Sequence, residues 1–231
     1  MNLPHFSIVI PTLNEADNIG PTLRAAKTAF GHAAEYLIVD GGSTDLTVQL
    51  AIAEGARAIH GPRGRGAQLQ AGLQESLGVV VVFLHADTLL PQDAAGKIDA
   101  VLADTRVVGG SFRLRFDNRD GALPFPLRWL APGINLRSRL FSTATGDQAI
   151  FARRAILESI GGVQPVPLFE DVRLYRTLRR TGRVLLLSSA VSTSARRWRK
   201  SGPIRLILLH LVLRALHAAG VPPARLVKLY R

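Results

Sequence analysis

The chain has 231 residues, no cysteine, a formal net charge of +12 and a pI of about 11.3. That length supports one good core or two small ones, with roughly 70–75% of the unfolded surface buried on folding. The missing cysteines exclude disulfides, zinc ribbons, iron–sulfur clusters and a Cys nucleophile, and the charge implies an anionic partner: nucleic acid, an acidic membrane face or a phosphate-bearing substrate.

Residues 1–5 carry no basic n-region and no cleavage site, so no signal peptide is expected. Phe6-Ser7-Ile8-Val9-Ile10 predicts a strand, and residues 16–29 a helix. A strand at 36–40, a helix at 45–54, a short strand at 56–60 and a helix at 66–76 follow. A strand at 79–84 precedes a helix at 92–103. The strands are short, rich in Val and Ile and apolar on both faces, as buried parallel strands are. Right-handed crossovers would bring their carboxyl ends to one edge, where open α/β sheets bind ligands. Glu15, Asp40 and Asp87, remote in sequence, should therefore face one crevice.

Beyond 103 the alternation stops. Residues 107–116 predict a half-exposed strand, and Asp117-Asn118-Arg119-Asp120-Gly121 a turn. A helix over 124–140 is expected to break at Pro132-Gly133. A strand at 147–152, a helix at 153–160, a helix at 170–181 closed by Gly182 and a strand at 183–187 complete the domain. The best division is a domain over 1–200 and a C-terminal amphipathic helical appendage over 201–231. Its apolar stretch is too interrupted to span a membrane. His210, Arg214 and His217 share one helical face there. Such a helix docks on its own core, lies on an anionic membrane or forms a dimer contact.

Asp40 opens Asp40-Gly41-Gly42-Ser43-Thr44-Asp45. A carboxylate at a strand tip can accept a hydrogen bond from a base N–H, and one of Ser43, Thr44 and Asp45 should cap the next helix. Asp87 suits a hard cation shared with substrate phosphates. Glu170-Asp171 compensates a helix dipole or supplies a general base. Gly64-Arg65-Gly66 fails the dinucleotide fingerprint because position 69 is Leu69, and no P-loop is present. Arg65 is instead placed to meet a phosphate or nucleotide.

Ser7-Ile8-Val9-Ile10-Pro11-Thr12-Leu13-Asn14-Glu15 and Ile38-Val39-Asp40-Gly41-Gly42-Ser43-Thr44-Asp45 resemble the opening of family 2 glycosyltransferases. Phe83-Leu84-His85-Ala86-Asp87-Thr88 resembles their DXD metal site, with His85 in place of the first Asp. Gly146-Asp147-Gln148-Ala149-Ile150-Phe151 and Phe169-Glu170-Asp171-Val172 resemble the later acceptor-side motifs. His85-Ala86-Asp87-Thr88, Gly146-Asp147-Gln148, Glu170-Asp171-Val172 and Ser194-Ala195-Arg196-Arg197-Trp198 are together similar to a bacterial subfamily associated with radical-SAM/selenodomain proteins and arsenosugar biosynthesis.

The resemblance implies the GT-A (nucleotide-diphospho-sugar transferase) fold: an α/β, Rossmann-like, mainly parallel sheet flanked by helices. It implies that Pro11, Thr12, Asn14, Glu15, Asp40, Arg65, His85, Ala86 and Asp87 bind the nucleotide sugar, with Asp87 holding Mn2+ or Mg2+. Asp171 would be the base, aided by Glu170. Gly146, Asp147, Gln148, Arg197 and Trp198 would serve the acceptor and diphosphate. The expected reaction is metal-assisted, inverting transfer of a sugar from a UDP-sugar, or next a GDP-sugar, to an acceptor hydroxyl. The expected location is cytoplasmic or peripheral on the inner face of the plasma membrane, with a homodimer as one arrangement. A sugar-nucleotide nucleotidyltransferase would need a Gly-rich, Lys-bearing loop after the first strand, which residues 11–15 lack. A non-enzymatic basic protein on membrane or nucleic acid is the other alternative. Nucleic acid is disfavoured because the few aromatics fall inside apolar runs.

Overall fold

The computed structural model describes residues 3–117 and 125–230. Strands β1 (Phe6–Thr12), β2 (Ala34–Asp40), β3 (Arg57–His60) and β4 (Val80–Phe83) alternate with helices α1 (Ala16–Phe30), α2 (Thr47–Ala53) and α3 (Arg65–Glu75). They pair in parallel in the order β3-β2-β1-β4. The chain steps outward from β1 to β3, then crosses back to place β4 on the other side of β1. That reversal opens a crevice beyond the carboxyl ends of β1 and β4.

The rest comprises β5 (Thr88–Leu89), α4 (Ala94–Leu102), β6 (Val107–Phe116), α5 (Phe125–Phe141), β7 (Ile150–Arg153), α6 (Arg154–Ser159), α7 (Glu170–Thr181), β8 (Arg183–Thr193), α8 (Arg196–Ser201), α9 (Pro203–Ala218) and α10 (Pro223–Tyr230). It continues the sheet as β4-β7-β6-β8-β5. The β4–β7, β6–β7 and β5–β8 pairs are antiparallel, and β6–β8 is parallel. Parallel pairing thus holds throughout the first half and gives way to a mixed second half. Period-two alternation divides the core between the two faces of the sheet. Ile8, Ile10, Ile38 and Val82 pack with Ile19 and Leu23 of α1 and Ile98 of α4. Val9, Val39, Val81 and Phe83 pack with Leu69 and Leu73 of α3 and Leu174 and Leu178 of α7.

Several expectations are corrected. The strand expected at 147–152 begins only at Ile150, because Gly146–Gln148 is a single 3₁₀ turn. A reciprocal Thr145–Gln148 cap starts that turn, and Ala149 at φ 48° ends it. Helix α5 runs unbroken through Pro132-Gly133. Both residues face solvent, while buried Leu127 and Ala131 anchor the turns before them. Asn135 then bonds to both the N–H and the carbonyl of Leu114, each at 2.8 Å. Residue 124, and the expected turn from residue 118 on, lie outside the described residues. Strand β6 exposes only Arg113 and Arg115, because β7 and β8 flank it on both edges. Strand β8 extends to Thr193; Ser188 and Ser189 interrupt the apolar run from which its end was read. Gly182 closes α7 in extended backbone, not in the left-handed region. Glycine stands there because a Cβ would collide with Val108 of β6.

Helix α9 docks on α5 and α8. Its polar stripe points inward: His210 packs edge-on to Trp198 at 5.4 Å between centroids, and His217 stacks on Phe169 at 4.7 Å. Leu206 and Leu213 are buried, while Ile204, Leu208, Leu211 and Val212 are exposed.

Candidate active site

The end of β1 and the loop after β2 are laced into one unit. Asp40 Oδ2 accepts from the backbone N–H groups of Gly42 (2.9 Å) and Ser43 (2.8 Å). Its Oδ1 accepts from the hydroxyls of Ser43 (2.5 Å) and Thr12 (3.1 Å). Burial alone would raise the Asp40 carboxyl, but these four donors hold it below the ordinary value. Asn14, at φ 56°, accepts on Oδ1 from the Thr44 N–H at 2.8 Å. None of Ser43, Thr44 and Asp45 is the cap of α2, which is Leu46 with no side-chain cap bond; Asp45, one residue earlier, accepts from the Thr47 N–H at 3.0 Å and the Ala16 N–H at 3.2 Å and ties α2 to the start of α1. Buried Gln68 donates to the carbonyls of Thr12 (2.8 Å) and Val39 (2.7 Å), tying the tips of β1 and β2 together. The sequence reading missed Gln68, whose only signal is a polar residue on the inner face of α3.

Asp87 leaves the end of β4. Its backbone carbonyl accepts from the Ser194 N–H at 3.1 Å, and the Ala86 carbonyl accepts from the Thr22 hydroxyl at 2.7 Å. Burial raises the Asp87 carboxyl, against the pull of Thr88, Arg65 and Arg196. Burial likewise raises Glu15, with Asn18 opposing and Asp87 adding repulsion. Arg196 reaches from α8 to Asp17 (3.1 Å) and Glu15 (3.4 Å) and so brings a guanidinium to this edge. The Arg197 side chain lies outside the described residues. Trp198 is partly buried against Phe116, 5.9 Å between ring centroids, and lies beneath α9. The His85 Nε2 atom is buried without a partner, and burial with nearby Arg65 holds the imidazole neutral.

The tips of α3 and α7 close the crevice. Arg65 Nη1 meets Glu170 Oε1 at 3.3 Å. Gly66 allows this approach: a Cβ there would lie 2.6 Å from the Gln164 carbonyl oxygen and 3.2 Å from Glu170 Cβ. Burial raises Glu170, with Arg65 opposing and Asp171 adding to the rise. Asp171 Oδ2 accepts from the Gly146 N–H at 2.6 Å, and its Oδ1 from the Val172 N–H at 2.6 Å. Gly146 also lies flat against His85, where any Cβ would meet the ring. Gln148 turns wholly inward, donating to the Phe112 carbonyl at 3.1 Å and accepting from Ser138 at 3.1 Å, so it holds the turn rather than facing the crevice. Asp147 keeps Oδ1 buried and unpaired, and burial raises its carboxyl, with Asp171 and Asp87 contributing repulsion.

One electrostatically connected set therefore runs from Glu15 through Asp87, Asp147 and Asp171 to Glu170, with Arg65 and Arg196 along it. Asp40 stands at the rim with its carboxylate turned into its own loop. Among the described residues no three His, Cys, Asp or Glu side chains form a ready metal cage. Asp87 fits a hard cation completed by substrate oxygens, because burial disfavours its bare charge. A hollow of about 1160 Å³, lined by Arg115, Phe116, Asp117 and Arg128 among others, contains none of these residues.

Residues 7–160 match the sequence profile of glycosyl transferase family 2. A PGL/p-HBAD biosynthesis glycosyltransferase of Mycobacterium tuberculosis is 31% identical over 172 residues, covering 70% of this chain. The matched stretch spans 64% of that relative's length. In three dimensions the chain resembles S. aureus TarS 1-349 in complex with UDP, with a TM-score of 0.67 and 18% identity, over 82% of this chain and 60% of that one. It also resembles the mannosyltransferase PcManGT from Pyrobaculum calidifontis in complex with GDP-Man and Mn2+, with a TM-score of 0.62 and 19% identity, over 83% and 57% of the two chains.

Proposed function

The chain belongs to glycosyl transferase family 2, and from that premise we propose that it moves a sugar from a nucleotide-diphosphate sugar to an acceptor hydroxyl with inversion. Its fold is GT-A, as in the solved relatives. The observation that carries the proposal is the electrostatically linked set of carboxylates from Glu15 to Glu170, with Arg65 and Arg196 along it, supplied from the switch point of the sheet and from the later α7. The relatives that hold UDP, and GDP-Man with Mn2+, support a donor of that class.

The acceptor oxygen attacks the anomeric carbon from the face opposite the diphosphate, and its proton passes to Asp171. The Gly146 and Val172 N–H groups fix the orientation of that carboxylate. Glu170, paired with Arg65, positions it. Thr12, Asn14, Glu15 and the Asp40 loop line the nucleotide, with Pro11 and Ala86 supplying backbone walls. Asp87 would hold Mn2+ or Mg2+, which neutralises charge on the leaving diphosphate when bound. Arg65 and Arg196 add positive charge on the same side, where preorganised electrostatics count most. Gly146, Asp147, His85 and Trp198 shape the acceptor side, and Gln148 holds their turn. The arsenosugar-type subfamily is the finer assignment, carried by the His-Ala-Asp-Thr, Gly-Asp-Gln, Glu-Asp-Val and Arg-Arg-Trp segments.

The test is hydrolysis of a panel of UDP- and GDP-sugars with and without Mn2+, which needs no acceptor. Slow, Mn2+-stimulated hydrolysis of one donor is expected, with a higher Tm on adding that nucleotide and Mn2+. No binding and no hydrolysis across the panel would refute the proposal.

The working surface is an anionic membrane. Phe125, Trp129, Leu136 and Leu140 form one exposed face of α5, and Ile204, Leu208 and Leu211 one exposed face of α9. Residues 172–231 hold fourteen Lys and Arg and no Asp or Glu. The α9 face lies in that acid-free basic segment, α5 itself carries Arg128, Arg137 and Arg139 and no Asp or Glu, and apolar faces among such charges suit a surface of acidic lipid. Among the described residues no helix is long and apolar enough to cross a membrane. A second copy covering the same faces is the alternative that a dimer measurement would reveal.

A further inference from the structure

The crevice continues past Asp171 into charges that the transfer roles leave unused. Arg137, on α5, keeps Nε and Nη2 buried with no hydrogen-bond partner. Burial and repulsion from Arg214 bring its pKa down to about 10, with Asp147 and Asp171 opposing. Arg214 comes from α9, three residues before His217 and on the same face. His217 stacks on Phe169, the residue just before Glu170-Asp171, and its Nδ1 is also buried and unpartnered. Thr143 Oγ1, two residues past α5, is a third unpartnered buried group.

Buried donors are almost always satisfied, and unpaired ones are costly. Here two mutually repelling guanidiniums, one of them acting on Asp147 and Asp171, share the α5–α9 packing with two further unpaired polar groups, one on α9 and one just past α5. A bound oxyanion would satisfy the donors and remove the repulsion together, and a guanidinium fork matches phosphate or carboxylate geometry. The position separates this cluster from the donor side: Arg65 and Arg196 act on Asp87, whereas Arg137 acts with Asp147 and Asp171.

Resting on the transfer reading above, we infer that Arg137 and Arg214, with Thr143 and His217, form a subsite for an oxyanion carried by the acceptor, a phosphate or a carboxylate. The acceptor is then an anionic molecule whose reacting hydroxyl lies close enough to its charge to reach Asp171.

The test is calorimetric titration of the full chain, saturated with Mn2+ and whichever of UDP or GDP it binds, with inorganic phosphate and separately with acetate. Saturation keeps either anion out of the diphosphate position. One anion should bind, and its affinity should fall at least about tenfold in Arg137→Gln and in Arg214→Gln, and less in Arg137→Lys, which keeps the charge. The preferred anion names the acceptor class. Thermal unfolding of each variant establishes that it is folded, and Arg214, half-buried on α9, provides a second variant should Arg137→Gln fail to fold. A wild type that binds nucleotide but neither anion would overturn the inference, as would undiminished binding in both glutamine variants. Failure to bind any nucleotide would instead sink the transfer reading, and the loss of anion affinity in Arg137→Gln and Arg214→Gln relative to wild type, measured without nucleotide, would then report on the subsite.

Discussion

Replacing Asp171 by Asn tests the chemistry with little change of shape. The carboxylate accepts two backbone hydrogen bonds, from Gly146 and Val172, both at 2.6 Å. An Asn keeps one oxygen for one of them and turns an amide N–H₂ toward the other. Losing one acceptor for a backbone donor costs about 1–3 kcal/mol when buried. Asp171 is only half-buried, so the lower end, about 1 kcal/mol, applies. A chain of this size should then lose roughly 2–4 °C in Tm. Removing a general base costs about 10²–10⁴ in rate, or roughly 3–5 kcal/mol of transition-state stabilisation. The predicted signature is therefore a kcat for sugar transfer lowered by that factor, with nucleotide affinity and Tm nearly retained. Steady-state kinetics with the donor found by the hydrolysis panel, beside nucleotide titration and thermal unfolding, separates the terms. A kcat within threefold of wild type would refute the role of Asp171 as base. A loss of nucleotide affinity matching the loss of kcat would show that Asp171 binds rather than reacts.

Gly66→Ala should push the 164–170 segment off α3, since the new Cβ meets a carbonyl oxygen at 2.6 Å. Overpacking of about 1–3 kcal/mol should outweigh a helix-propensity gain of about 1 kcal/mol, and kcat should drop by around 10²-fold as the Glu170-Asp171 pair moves; an unchanged Tm and kcat would show the contact to be soft. Asp147→Asn tests a buried charge. Its carboxyl pKa is raised in the folded state, so its contribution to stability is fully present below the unfolded value near 3.9 and is lost as pH rises through the folded value. The variant should therefore match wild type near pH 3.5 and become the more stable of the two toward neutral pH in a Tm-versus-pH series; a constant difference would contradict the assigned cause. The double variant Trp129→Glu/Leu211→Glu should bind phosphatidylglycerol vesicles at least about tenfold less well in co-sedimentation, with wild-type binding weakened by salt. Equal vesicle binding, or a wild-type dimer split by the same double variant, would assign these faces to another partner.

Much of the site was legible because its groups sit at strand ends. Glu15 and Asp87 follow short apolar runs, and a run of Val and Ile ends where burial ends, so the polar residues after it mark the sheet edge. Asp40 also ends a strand, but Thr12 and its own loop occupy its carboxylate with four donors, so it does not join Glu15 and Asp87 as expected. Gln148 similarly turned inward, since a polar residue in a motif can hold the loop that carries the motif. Arg137 could not be read at all: nothing in its spacing distinguishes it from the other arginines, and only the packing of α5 against α9 buries it. The same packing docks α9 on its own domain, one of the arrangements expected, with its histidines meeting Phe169 and Trp198, Leu206 and Leu213 buried, and Leu208 and Leu211 outside.

By itself the amino-acid order determined the four parallel strands, the helices between them and the edge where their carboxylates emerge, because strand burial and turn chemistry act over a few residues. The tertiary structure alone decided that the mixed second half brings Gly146 under Asp171, that Arg196 reaches back to Glu15, and that α9 places Arg214 near Arg137. Those outcomes depend on which surfaces meet across sequence separations from 25 residues (Gly146 and Asp171) to 181 (Glu15 and Arg196), and a charge or a hydrogen-bonding group acquires its energy from the neighbour it meets there.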